Sequence, residues 1–191
     1  MIQDIFKIPI YKVKLDLDVE KLQSFCSEHR NKDIGRLKSN IGGYHSNDLS
    51  LDEVSLQPLI EKIETHSSKF SKEFLGTEQV LDNMWININS YKDTNRPHNH
   101  PHCDISGVYY IKTPKNCGNI VFEHPALDVL TYYFKDKPKE SNAYNAVTWW
   151  MPSEVNTLYL FPSWLNHCVE ANENKTEERI SISFNTYKHD L

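Results

Sequence analysis

The sequence has no apolar run long enough to span a bilayer. Its first residues, Met1-Ile-Gln-Asp-Ile-Phe-Lys-Ile-Pro9, lack the basic start, apolar stretch and small-residue cleavage site of a secretory leader. Its four cysteines, at 26, 103, 117 and 168, show no C-x-x-C spacing. Together these absences predict a cytoplasmic chain with reduced thiols. No Lys/Arg block stands out and the net charge is −5, so nucleic acid is a poor partner. Internal repeats and low-complexity tracts are also missing.

What remains is an ordinary globular composition. The 191 residues are 39% hydrophobic and 25% charged, enough to build a real core. Aromatic content is 12%, with ten Tyr and four Trp, which suits β-sheet faces and a lined cavity. The expected layout is one domain over 1–191, with a helical support region over 1–80 and a β core over 81–191. Ile5 to Val13 alternates loosely and reads as a strand, moved toward a sheet edge by Pro9. Such an edge leaves a homodimer open. Asp18 can cap a helix carrying Leu22, Phe25, Cys26 and His29 on one face. Residues 31–50 read as an irregular loop. A second helix is expected after Ser55, with Pro58 in its first turn, an apolar stripe of Leu59, Ile63, His66, Phe70 and Phe74, and Gly76 as its stop.

From residue 83 onward, strand-like runs at 84–91, 105–113, 119–123, 147–151, 157–161 and 179–187 are rich in Trp, Tyr, Ile, Val and Phe. This pattern predicts a sandwich or barrel. The polar insert from about 124 to 146 is long for a plain connection and is a candidate lid.

The densest chemistry lies in Arg96-Pro-His-Asn-His-Pro-His-Cys-Asp104, which packs three histidines, a cysteine and an aspartate into nine residues. Side chains two apart at the end of a strand can turn to one point. A non-haem Fe(II) site takes two imidazoles and a carboxylate in this way. The H-x-D could be His102-Cys103-Asp104, or His98-Asn99-His100 could serve with His in the carboxylate place. A surface turn is the bland alternative, since Pro, Asn and His are common there. His167 follows another strand-like run and adds a distant ligand candidate. Arg179 and Ser181 share one face of their strand. An arginine there can grip a carboxylate through two N–H groups, with the serine hydroxyl adding a third bond. The rival for Arg179 is an edge ion pair with Glu177 or Glu178.

The segments H-x-H-P, Ser106-Gly-Val-Tyr-Tyr110, Phe161-Pro-Ser-Trp-Leu-x-His167 and Arg179-Ile-Ser-Ile-Ser-Phe-Asn185 resemble a family of 2-oxoglutarate/Fe(II)-dependent oxygenases of bacteria and phages. Ser39-Asn-Ile-Gly-Gly-Tyr-His-Ser46 and Trp85-Ile-Asn87 fit it too, so the resemblance spans about 39–187. It implies a mainly β fold: a double-stranded β-helix (jelly-roll) core with helices packed on one side. It also implies the cofactors Fe(II) and 2-oxoglutarate, with hydroxylation of an unidentified primary substrate and release of succinate and carbon dioxide. Carried over, His98 and His167 match metal ligands, and Arg179 matches the residue holding the far carboxylate of 2-oxoglutarate. The family's spacing to the Tyr-Tyr strand favours His100, ten residues before Tyr110, over Asp104, six before it. Asp104 stays the alternative third ligand and His102 a bystander. Tyr110 and Asn87 are expected beside the co-substrate.

Two departures stand out. A neutral imidazole falls where an anion usually helps hold Fe(II). Asn156 replaces the glycine more often found before the strand at 157, and Asn is the residue next best suited to positive φ. Two other classes stay in play: a cupin-type metalloenzyme without 2-oxoglutarate, and a non-catalytic jelly-roll binding protein with a vestigial metal site.

Overall fold

The computed structural model describes residues 3–133 and 139–188. The chain opens with β1 (Tyr11–Lys14), α1 (Val19–Arg30), β2 (Asn40–Ile41) and β3 (Tyr44–His45), followed by a short 3-10 turn and α2 (Gln57–Phe74). Then come β4 (Gln79–Asn89), β5 (Thr94–His98), β6 (Ile105–Lys112), β7 (Asn119–Glu123), α3 (Leu127–Tyr133), β8 (Thr148–Pro152), β9 (Thr157–Pro162), β10 (His167–Val169) and β11 (Arg179–Lys188). Two antiparallel sheets result, one of order β1-β9-β6-β11-β4-β3 and one of order β2-β5-β10-β7-β8.

α1 and α2 start for local reasons, and α2 also stops for one. Asp18 Oδ1 accepts the Lys21 N–H at 3.0 Å and so satisfies an orphan donor of α1. Pro58 sits in the first turn of α2, where its missing N–H costs nothing. Gly76, at φ +70°, turns the chain out of the helix. The apolar stripes of the helices, including Leu22, Cys26, Leu59, Ile63 and Phe70, bury against the outer face of the six-stranded sheet.

That sheet has two chemically different faces. In β4, Met84, Ile86 and Ile88 enter the core under the helices, while Trp85, Asn87 and Asn89 line an interior cavity. In β11, Ile180, Ile182 and Phe184 join the same core, while Arg179, Ser181 and Ser183 face the cavity. Side chains two apart share a face, so each strand carries one apolar and one polar lining. A second, smaller core, with Val108, Tyr110, Ile120, Phe122, Tyr159 and Phe161, fills the space between the sheets.

Several expectations change in detail. The first strand begins only at Tyr11, after Pro9, and it does occupy a sheet edge. The expected loop at 31–50 carries the short strands β2 and β3, one joining each sheet. The Gly42-Gly43 turn between them has φ near +67° at both residues, and a Cβ on Gly42 would meet Asp93 Oδ1 at 2.0 Å. The expected strand at 84–91 runs instead from Gln79 to Asn89. Asn156 does take positive φ, at 62°. Its Nδ2 donates to the Leu17 carbonyl at 3.0 Å, and its Oδ1 accepts from Leu17 N–H at 3.3 Å and from the Tyr109 hydroxyl. The proposed lid at 124–146 contains α3, but part of it lies outside the described residues. No described helix is long and apolar enough to cross a membrane.

Candidate metal and co-substrate site

Two short strands of the five-stranded sheet bring the histidines together. His98 is the last residue of β5 and His167 the first of β10, and the two are direct cross-strand partners. His100 lies two residues past the strand end, and its N–H is held by the Ser163 carbonyl at 2.9 Å. One ligand atom from each of the three lies within 4.8 Å of the others. Among the described residues this is the one group of three or more candidate ligands so placed.

Hydrogen bonding selects the nitrogens. His98 Nδ1 sits 2.8 Å from the Arg96 carbonyl and His167 Nδ1 sits 2.9 Å from the Leu165 carbonyl. A carbonyl only accepts, so both Nδ1 atoms carry the proton. The Nε2 lone pairs are therefore free for a metal, with ring orientation fixed from behind. His100 Nε2 is buried with no hydrogen-bond partner. Burial, first of all, keeps the rings neutral: it lowers the pKa of His98, and with the nearby His98 ring takes His100 down to about 4 and His167 down to about 3. Neutral imidazole is the ligating form.

The polar face of the six-stranded sheet closes the same cavity. Arg179 is 1% exposed. Its Nη1 donates to the Cys117 carbonyl and, at 3.1 Å, to the Glu170 carbonyl. Its Nη2 is buried and donates to nothing. The rival pairing is absent: Glu178 bonds Arg30 at 2.8 Å and Glu177 bonds Lys112 at 3.2 Å. Ser181 lies opposite Tyr110 across the strands, and opposite Asn87 on its other side. The Tyr110 hydroxyl, with Ser153 beside it, is buried without a hydrogen bond of good geometry. A buried donor left unpaired is costly. Orphans on Arg179, Tyr110 and His100 in one cavity therefore mark where a polar ligand belongs. Convergent imidazoles at one part of the cavity and a guanidinium with a spare N–H at another fit a metal and a dicarboxylate.

The other sequence candidates fall elsewhere. Asp104 stands outside the imidazole group; its Oδ2 accepts from Gln79 Nε2 at 3.2 Å. His102 is exposed and sits in a turn at φ 68°. The sequence reading gave Trp85 no role in the site, yet its ring stacks on His100 at 5.7 Å and on His45 at 5.5 Å. Asn89 and Asn95, also cavity-lining, were not singled out, and Ser39 entered only as the first residue of a family-like segment. The signal for Trp85 and Asn89 was the period-two alternation of Trp85-Ile-Asn-Ile-Asn89. A more open groove begins at His98 and His100 and carries Arg36, Lys38 and Arg96, with Asp48 and Asp82. Asp48 is paired with Arg36. On the inner face of the five-stranded sheet, pairing register continues the His98–His167 row through Phe122 to Trp149, which is half exposed.

Residues 83–185 match the family model described as "Putative 2OG-Fe(II) oxygenase". The chain belongs to this family. Fe(II) and 2-oxoglutarate are the family's cofactors. No curated protein matches the oxygenase in sequence. Solved structures do match in fold. A prolyl-4-hydroxylase from Pseudomonas putida aligns over 96% of this chain and 94% of its own, at 12% identity and TM-score 0.65. HygX from Streptomyces hygroscopicus, solved with nickel and 2-oxoglutarate bound, aligns over 96% and 84%, at 9% identity and TM-score 0.64. A prolyl hydroxylase from Trichoplax adhaerens, in complex with a hypoxia inducible factor oxygen degradation domain peptide fragment, aligns over 94% and 83%, at 11% identity and TM-score 0.66. The oxygenase thus has the expected mainly β, jelly-roll core with helices on one side.

Proposed function

We propose that His98, His100 and His167 hold Fe(II) and that Arg179, with Ser181, Tyr110 and Asn87 around it, holds the far carboxylate of 2-oxoglutarate. The protein would then hydroxylate a primary substrate. One oxygen atom of O2 enters the substrate as a hydroxyl; the other enters the succinate left when 2-oxoglutarate loses carbon dioxide. The observation that carries this reading is the spare, buried Nη2 of Arg179 in the same cavity as three convergent imidazoles.

A metal held by these three imidazoles would supply the redox chemistry. The chain's own residues do the positioning. Carbonyls of Arg96 and Leu165 engage Nδ1 of His98 and His167, which leaves both Nε2 atoms to serve as ligands. Carbonyls of Cys117 and Glu170 aim the guanidinium, leaving Nη2 for the ligand. Phe161 and Phe122 flank His167 at 4.7 and 6.2 Å and keep bulk water from that side. The groove with Lys38 and Arg96 is the approach for the primary substrate.

The test is direct. Anaerobic protein with Fe(II) should bind 2-oxoglutarate, and on admission of oxygen should form succinate slowly even without substrate. Absence of both would sink the reading. Three neutral imidazoles also favour a cupin-type enzyme without co-substrate. Unchanged activity in Arg179→Ala would support that reading instead, because it gives the guanidinium no part.

A further inference from the structure

The three imidazoles bring no negative charge to a metal, and none of the other described residues that line their cavity brings any. Amides, hydroxyls, aromatic rings, aliphatic side chains and imidazoles line it, and among the described residues Arg179 is its one formal charge. Asp104, the carboxylate that could have stood in, is turned to Gln79. Asp93 and Glu170 act on Arg179 from a distance, but neither forms an ion pair with it among the described residues. Both are engaged elsewhere: Asp93 Oδ2 accepts the Ser90 N–H at 2.7 Å, and Glu170 Oε2 accepts from Asn119 Nδ2 at 2.8 Å. Asp48 and Asp82 line the outer groove and not the cavity.

A divalent cation seated at the imidazoles would share a desolvated cavity with a buried guanidinium and no anion. Burying unpaired charge is strongly unfavourable. A site with two imidazoles and a carboxylate relieves part of that cost within the protein. With His100 in the carboxylate place, the relief has to come from the ligand. We propose that His100 makes metal retention conditional on an anion. The site holds a divalent ion weakly alone and tightly only when a coordinating anion, above all the 2-oxoglutarate dianion, is bound with it. This rests on the reading that His98, His100 and His167 are the metal ligands. Because coupling is reciprocal, metal and anion tighten each other by the same factor. The protein is then loaded with both or with neither.

The experiment uses Co(II), whose visible absorption reports coordination without turnover. Metal-free protein is titrated under argon at constant ionic strength, with perchlorate as a poorly coordinating anion, then with azide, then with 2-oxoglutarate. Azide neither chelates nor spans to Arg179, so its effect isolates charge. The Co(II) dissociation constant should fall about tenfold or more in azide and further in 2-oxoglutarate. His100→Asp and His100→Glu, which return an anion to the site, should bind Co(II) tightly in perchlorate alone and lose the azide effect. Equal Co(II) affinity in perchlorate and azide for the wild-type protein overturns the inference, whether or not the variants fold. No Co(II) absorption under any anion overturns the metal-site reading together with it. Ready binding with no anion dependence overturns the inference alone.

Discussion

Removing the Arg179 guanidinium has two effects that can be separated. It takes a charged donor from the proposed co-substrate, and it leaves the Cys117 and Glu170 carbonyls unpaired. The first should cost about 1.5–3 kcal/mol, roughly a ten- to hundredfold weaker 2-oxoglutarate dissociation constant by titration calorimetry. The second should appear as a lower unfolding midpoint, which calorimetry of the ligand-free protein reads independently. With 2-oxoglutarate present, His167→Ala should abolish tight metal binding by equilibrium dialysis, and full metal content in that variant would remove His167 from the site. Gly107 is a packing constraint in the same strand as Tyr110. A Cβ there would lie 2.3 Å from Phe184 Cζ and 2.8 Å from the Tyr159 carbonyl. Gly107→Ala should cost about 1–3 kcal/mol of stability in urea unfolding, as overpacking does. The polar face of β11 was legible in the sequence because Arg, Ser, Ser and Asn alternate with Ile, Ile and Phe from 179 to 185. The orphaned state of Arg179 Nη2 was not legible, since it depends on carbonyls 62 and 9 residues away.

The elements that carry the histidines were the hardest to read. β5 is Thr-Asn-Arg-Pro-His and β10 is only His-Cys-Val. Neither has apolar alternation, and Pro97 counts against a strand. They pair because the long strands of the other sheet, legible from their β-branched and aromatic content, fix where the chain can return. α1 and α2 were legible because caps and stripes are local signals, whereas α3, inside a stretch read as a polar insert, was not foreseen. The stretch expected as irregular loop has a chemical anchor in Asp33. Burial works to raise its pKa, but the Asn47 N–H and side chain, the Tyr44 hydroxyl and the Gly35 N–H together hold it down at about 2. A depressed carboxylate stabilises the fold above its unfolded value, about 4, and the contribution disappears as pH falls toward 2. The stability gap between wild type and Asp33→Asn should therefore be full at pH 7 and shrink between about pH 4 and 2 in urea unfolding series. A gap independent of pH would show that the charge is not what matters. Asn156 makes a second link of this kind. Asn156→Gly should keep the turn yet lose stability, since the bonds to Leu17 and Tyr109 go with the amide.

Across the whole molecule, one sheet face holds the helices and the other holds the chemistry, so ligands and stability are linked. On metal-loaded protein, 2-oxoglutarate at a hundred times its dissociation constant should add about 2.7 kcal/mol. For a chain of this size that is an upward melting shift of roughly 5–10 °C, and a chelator should reverse it. The position of Trp85 gives the molecule a built-in optical gauge. It is 7% exposed, whereas Trp149, Trp150 and Trp164 are 47–61% exposed. A buried indole emits toward the blue, and half-exposed indoles emit toward the red. With its ring 5.7 Å from that of His100, Trp85 is close enough for an open-shell ion at the imidazoles to quench it. Loading with Co(II) or Fe(II) should thus dim the blue edge of the emission band and spare the red, so occupancy can be followed by colour in the unlabelled protein.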